Sequence, residues 1–194
     1  FGCNGTFYLQ RLDSNGKVAD ADIYRWYDFD NKHGWYNYNG KTKIAKPEEV
    51  KFTAGEGVWC KGNGYSLVVA GSVKLDKLEF KTRDSGSTAC GNGLPVATTL
   101  DKLTVTGYKP YDPDLDDFGC NGTFYLQFLD SNGKVADADI YRWYDFDTKH
   151  GWYNYNGKTK VDGSKVEISA GKGFWVKGNG YTLVIPAVFP EETK

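Results

Sequence analysis

The 194-residue chain carries 24 Lys and Arg against 25 Asp and Glu, a net charge of −1. So balanced a chain presents no field to hold a polyanion, which argues against nucleic acid and anionic membranes as partners. No run of 18 apolar residues exists, so no membrane span is expected, while 16% aromatic residues, fourteen of them Tyr and six Trp, is more ring surface than two modest cores require.

The pattern is almost entirely β. Thr6–Leu12 reads as a strand, followed by Asp13-Ser14-Asn15-Gly16-Lys17, whose Asn-Gly is a turn signal. Ala21–Phe29 alternates, with Ile23, Arg25, Tyr27 and Phe29 on one side and Tyr24, Trp26 and Asp28 on the other. Asp30–Gly34 is a turn, and Trp35–Tyr38 is a short strand ended by Asn39-Gly40. Val50–Phe52, Val58–Lys61 and Tyr65–Val69 follow as strands separated by glycine turns. Further on, Ser72–Arg83 reads as one or two strands, Asp84–Gly93 as loop, Leu94–Val105 as an extended segment with a short turn, and Lys109–Asp117 as an acidic loop. No stretch carries a helical stripe.

The text then repeats. Phe1–Ile44 returns at Phe118–Val161 with three of 44 positions changed: Arg11 to Phe128, Asn31 to Thr148 and Ile44 to Val161. After a one-residue contraction, Ala54–Val69 returns more loosely at Ala170–Ile185. The expected architecture is therefore all-β, with two similar β-sandwich or small-barrel lobes, residues 1–76 and 77–194. On that division the second lobe has leading strands that the first lacks, so the chain is expected to begin partway into a longer repeat unit. Four cysteines (Cys3, Cys60, Cys90, Cys120) match no zinc spacing. Disulfides and free buried thiols both remain open to them.

The segments Ala54-Gly55-Glu56-Gly57-Val58-Trp59, Ala170-Gly171-Lys172-Gly173-Phe174-Trp175 and Thr88–Pro95 resemble tandem β repeats of large secreted or cell-surface bacterial proteins. The resemblance implies a β architecture and export, to a secreted or cell-surface location, and the chain is expected to be a monomeric module of a larger protein. It implies carbohydrate attachment as one role and assigns no binding residues.

The residues add a candidate surface. Tyr24–Asp28 and Trp35–Asn39, repeated at Tyr141–Asp145 and Trp152–Asn156, place flat rings beside Asn, Asp and Arg. A sugar offers an apolar face for stacking and hydroxyls for amide, carboxylate or guanidinium groups. The expected contacts are Arg25, Tyr27, Trp35, Tyr36 and Tyr38, with Arg142, Tyr144, Trp152, Tyr153 and Tyr155 as their copies. Strand alternation must remove some of them from a common face, and Trp59 and Trp175, set between glycine turns, read as scaffold. The expected partner is a glycan polymer such as starch or another plant or host polysaccharide. The rival expectation is a structural stalk or adhesion module. Under binding Trp35 and Trp152 lie exposed in a shallow groove, whereas under the stalk reading they are covered. No cofactor is expected beyond calcium, for which Asp112, Asp114 and Asp116 are the candidate ligands. With only His33 and His150, and no nucleophile, zincin or phosphate-binding motif, catalysis is not expected.

Overall fold

A computed structural model describes residues 3–11, 22–54, 56–69, 71–130 and 134–189. The fold is all-β, built from several antiparallel sheets, and the chain divides into two compact units, residues 1–72 and 73–194. Among the described residues no helix is long and apolar enough to cross a membrane.

Among the described residues unit 1 holds one four-stranded sheet. Its strands are β1 (Cys3–Arg11), β2 (Ile23–Phe29), β3 (Lys32–Asn37) and β4 (Val58–Lys61), in the order β3-β2-β1-β4. Of the alternation expected over Ala21–Phe29, Ala21 lies outside the described residues and the register of Ile23–Phe29 meets it: Trp26 lies opposite both Phe7 and Trp35, while Arg25 lies opposite Tyr8 and Tyr36. Residues opposite one another share a face. Phe7, Leu9, Trp26, Trp35 and Cys60 thus line one side, with Phe7–Trp35 and Trp26–Trp35 ring centres 5.9 and 5.3 Å apart. The two-residue link from β2 to β3 puts Asp30 in the left-handed region at φ 51°, which a short polar side chain tolerates. The Asn-Gly turn expected after β1 lies outside the described residues. Tyr65–Val69, expected as a strand, joins no ladder among the described residues.

Unit 2 adds what unit 1 lacks. Its strands are β5 (Leu78–Lys81), β6 (Ser87–Gly91), β7 (Thr98–Thr99), β8 (Thr104–Thr106), β9 (Cys120–Phe128), β10 (Ile140–Phe146), β11 (Lys149–Asn154), β12 (Glu167–Ile168), β13 (Gly173–Lys177) and β14 (Thr182–Ile185). They form a five-stranded sheet β11-β10-β9-β13-β6, a three-stranded sheet β5-β14-β8 and a two-stranded pair β12-β7. Phe124, Leu126 and Val176 of the large sheet and Leu183 and Ile185 of the small one are fully buried. Tyr181 bridges these groups, stacked 6.5 Å from Phe124. Asn92, in the Thr88–Pro95 motif, is also fully buried and fully used. Its Nδ2 donates to the Val96 and Ile168 carbonyls at 2.9 and 3.0 Å, and its Oδ1 accepts from Leu94 N at 3.2 Å.

The expectation of two similar sandwich or barrel lobes is therefore met only at the level of the all-β class. The reason is chain supply. The strands that complete unit 2 come from residues 78–106, and unit 1 has no counterpart to them among the described residues. All four cysteines are free thiols. Cys3, Cys90 and Cys120 are buried and Cys60 is exposed.

Candidate functional site

The face of the unit 1 sheet opposite Phe7 and Trp35 carries cations and tyrosines in alternation. The register sets Tyr8 of β1 across from Arg25 of β2, and Tyr38 follows directly on β3. The Arg25 guanidinium carbon stands 4.6 Å from the Tyr8 ring centre and 5.5 Å from that of Tyr38. One step along, Lys32 Nζ lies 4.9 Å from the Tyr27 ring centre and 5.5 Å from that of Tyr36, and donates to the Gly40 carbonyl at 2.7 Å. Tyr27 and Tyr36 meet edge to face at 5.0 Å.

Unit 2 repeats this set. Arg142 lies 4.6 Å from the Tyr125 ring centre and 5.7 Å from that of Tyr155. Lys149 lies 4.9 Å from Tyr144 and 5.6 Å from Tyr153, and donates to the Gly157 carbonyl at 2.7 Å. Tyr38 and Tyr155 are exposed, while both arginines are partly buried.

The two arginines share an unmet demand. Nε of Arg25 and Nε of Arg142 are buried without a hydrogen-bond partner, and among the described residues neither guanidinium forms an ion pair. Each guanidinium carbon stands over two rings while its Nε is shut from solvent, so a ligand can be met only by the edge that the terminal nitrogens present. Such an edge accepts a carboxylate or a pair of neighbouring hydroxyls, while the exposed tyrosine beside it offers a stacking face.

The expected site residues separate by face. Arg25, Tyr27, Tyr36 and Tyr38 come together, as do Arg142, Tyr144, Tyr153 and Tyr155. Trp35 and Trp152 do not join them. Both lie on the opposite face, where Trp152 is only 4% exposed and packs on Phe124 and Trp143 with ring centres 6.0 and 5.3 Å away. Trp35 is partly buried against Phe7 and Trp26. The exposed stacking role expected of these two tryptophans is corrected by period-2 alternation, since Trp35 is an odd neighbour of Tyr36 on the same strand.

Burial makes a second division. Tyr36, Tyr144 and Tyr153 are buried and present little ring to a ligand. Tyr144 is seated against Gly122 and Gly157, at φ 82° and 70°, where a Cβ on either glycine would run into the tyrosine ring or its hydroxyl. Tyr27 is seated in the same way against Gly5 and Gly40. Tyr8, Tyr125, Lys32 and Lys149 were not among the expected contacts. Alternation within Thr6–Leu12 already turns Tyr8 away from Phe7 and Leu9, but its meeting with Arg25 depends on strand register.

The calcium ligands expected at Asp112, Asp114 and Asp116 do not converge. Among the described residues no three His, Cys, Asp or Glu side chains gather as a metal site. The loop uses its carboxylates for itself: Asp112 Oδ1 accepts from Asp114 N at 3.0 Å, capping the 3-10 turn Pro113–Leu115. Asp116 takes up a left-handed conformation at φ 49°, and Asp117 pairs with Lys109. That lysine and the Gly119 N–H hold the Asp117 carboxyl below the usual carboxylate range.

Elsewhere, His33 Nδ1 lies 2.7 Å from Asp28 Oδ1, and His150 Nδ1 lies 2.6 Å from Asp145 Oδ1. In unit 2 burial, and after it the Asp145 carboxylate, pushes the Tyr108 hydroxyl up to about 12. No protein-family model matches this chain, and none of the curated proteins or solved structures is significantly similar to it.

Proposed function

We propose that this chain is a non-catalytic, extracellular binding module for a polysaccharide or oligosaccharide, made of two repeat lobes with one contact surface each. The contact surface is the arginine–tyrosine cradle: Arg25 with Tyr8 and Tyr38, and Arg142 with Tyr125 and Tyr155. One observation carries this reading. In both copies a guanidinium stands over two tyrosine rings and forms no ion pair among the described residues, which leaves the edge of its terminal nitrogens to a ligand. Glycans such as starch or another plant or host polysaccharide supply both hydroxyl pairs for that edge and ring faces for the exposed tyrosine.

Open sites of this kind are weak, and a site binding at about 100 μM contributes only about −5.5 kcal/mol. Two sites on one repetitive polymer raise the local concentration, and avidity gains roughly 10² when spacing allows both to engage. Duplication then has a direct use.

Isothermal titration against soluble α- and β-glucans, xylan and mannan tests the reading. Wild-type chain is expected to bind at least one polymer, and the double variant Arg25→Ala/Arg142→Ala to lose that binding. Wild-type affinity in the double variant sinks the cradle as the site. The stalk or adhesion reading draws support from the cover over Trp152 and Trp35, and absence of binding across the panel would favour it.

A further inference from the structure

The looser half of the repeat, Ala54–Val69 and Ala170–Ile185, places nearly the same side chains in different surroundings. Ile185 is 0% exposed, whereas its counterpart Val69 is 67% exposed. Tyr181 is 8% exposed on Phe124, whereas Tyr65, on Phe7, is 48% exposed. Val176 and Phe174 of β13 are buried, yet their counterparts Cys60 and Val58 of β4 are exposed, as is Trp26 on the same face.

What accounts for the difference in unit 2 is visible. β6 adds to the edge of β13 over five register pairs, from Gly173 opposite Gly91 to Lys177 opposite Ser87. β5 and β8 flank β14, the counterpart of Ser66–Val69. Residues 78–106 thus provide both an edge strand and two flanking strands. In unit 1, β4 pairs with β1 alone among the described residues, leaving a row of N–H and C=O groups beside exposed Val58 and Cys60, with exposed Trp26 on β2 farther across the same face. An unpaired edge beside an apolar face accepts an added strand readily.

We propose that the β4 edge, with the face bearing Trp26, Cys60 and Tyr65, is a docking surface for the leading segment of another repeat of this type, one with the pattern of residues 73–106. The guest strand adds to β4 as β6 adds to β13, and its neighbours order Tyr65–Val69 into a strand as β5 and β8 order β14. A second copy of this chain is a poorer donor. Its own segment already buries Leu78, Leu94, Leu100, Leu103 and Val105 in unit 2, so lending it would bare one unit to cover another. The proposal is independent of the glycan reading.

Cys60 reports on it, because its side chain shares a face with Leu9 and its counterpart Val176 is fully covered. The test places a second copy of residues 73–117 directly ahead of Phe1, reproducing the junction that residue 117 makes with Phe118. The rate of Cys60 alkylation is compared with that of the 194-residue chain, using a Cys60→Ser background to subtract the other thiols. A synthetic 73–117 peptide added to the 194-residue chain gives the same comparison without a fusion. Cys60 is expected to react at least tenfold more slowly in either covered form, with tryptophan emission shifted to the blue. Equal Cys60 rates in both formats overturn the proposal. Sedimentation of the 194-residue chain as a dimer with Cys60 already protected overturns it too, by making a second copy the occupant.

Discussion

Arg25 sets its guanidinium carbon 4.6 Å from the ring centre of Tyr8, its cross-strand neighbour, and Arg142 stands at the same distance from Tyr125. A cation fixed on a ring by the sheet register loses little freedom when its edge meets a ligand, so the cradle is prepared before binding. Each such contact contributes about 0.5–2 kcal/mol to holding the side chain in place.

Charge alone does not reproduce the cradle. Arg25→Lys/Arg142→Lys keeps the cation but loses the forked edge, and is expected to bind the best glycan about tenfold or more weakly than wild type. Tyr38→Phe/Tyr155→Phe keeps the stacking face and is expected to retain most affinity, whereas Tyr38→Ala/Tyr155→Ala is expected to lose it. Titration calorimetry reads both comparisons, and urea unfolding of the same variants is expected to shift by less than about 1 kcal/mol, as suits partly exposed side chains.

Equivalent tryptophans are expected to differ in worth. Trp152→Ala empties a site enclosed by Phe124 and Trp143 and is expected to cost about 3–5 kcal/mol of unit 2 stability. Trp35→Ala removes a ring that is only partly covered, and is expected to cost less, roughly 1–3 kcal/mol. Urea denaturation followed by near-UV circular dichroism measures both. Equal costs would contradict the difference in burial.

Alkaline pH is expected to weaken unit 2 through Tyr108. Its folded hydroxyl titrates at about 12, above the ordinary tyrosine value of 10.0, so the folded state holds this proton more tightly. The contribution is fully present below pH 10 and is lost as pH rises towards about 12. Tyr108→Phe removes that group, so the gap between wild-type and variant stability is expected to narrow or reverse from pH 8 to pH 11, read by denaturant midpoints.

Thiol chemistry is expected to be selective. Cys90 is buried, and that burial pushes its thiol up to about 12, leaving almost no thiolate at neutral pH. Cys60 is exposed, with partial cover raising its thiol less. Limited iodoacetamide treatment of native protein followed by peptide mass spectrometry is expected to find label at Cys60 and little at Cys3, Cys90 or Cys120.

The sequence-based reading is strongest where period-2 alternation decides the outcome. The two sides of Ala21–Phe29 follow from it, as does the separation of Trp35 from Tyr36. Register was beyond its reach: nothing local announces that Tyr8 meets Arg25 rather than Tyr27. Tyr65–Val69 fails differently, because its propensity matches that of the strand Thr182–Ile185 while no strand among the described residues pairs with it. One compensation could be read only after pairing was known. Arg11 forms an ion pair with Glu56 at 2.8 Å, and in the copy Phe128 and Lys172 replace both, with Lys172 Nζ 5.8 Å from the Phe128 ring centre. The acidic loop misled because a run of aspartates serves a capped turn as readily as a cation.

The seat of Tyr27 between Gly5 and Gly40 joins two positions that are 35 residues apart in the chain. Alanine at either must displace the same ring, so the two sites spend a single tolerance between them. Once one substitution has moved Tyr27, the second meets less resistance, and the double variant falls short of the summed single costs. For drift in this repeat, Gly5 and Gly40 therefore behave as one locus: change is hardest at the first step, and a first change at either opens the way for the other.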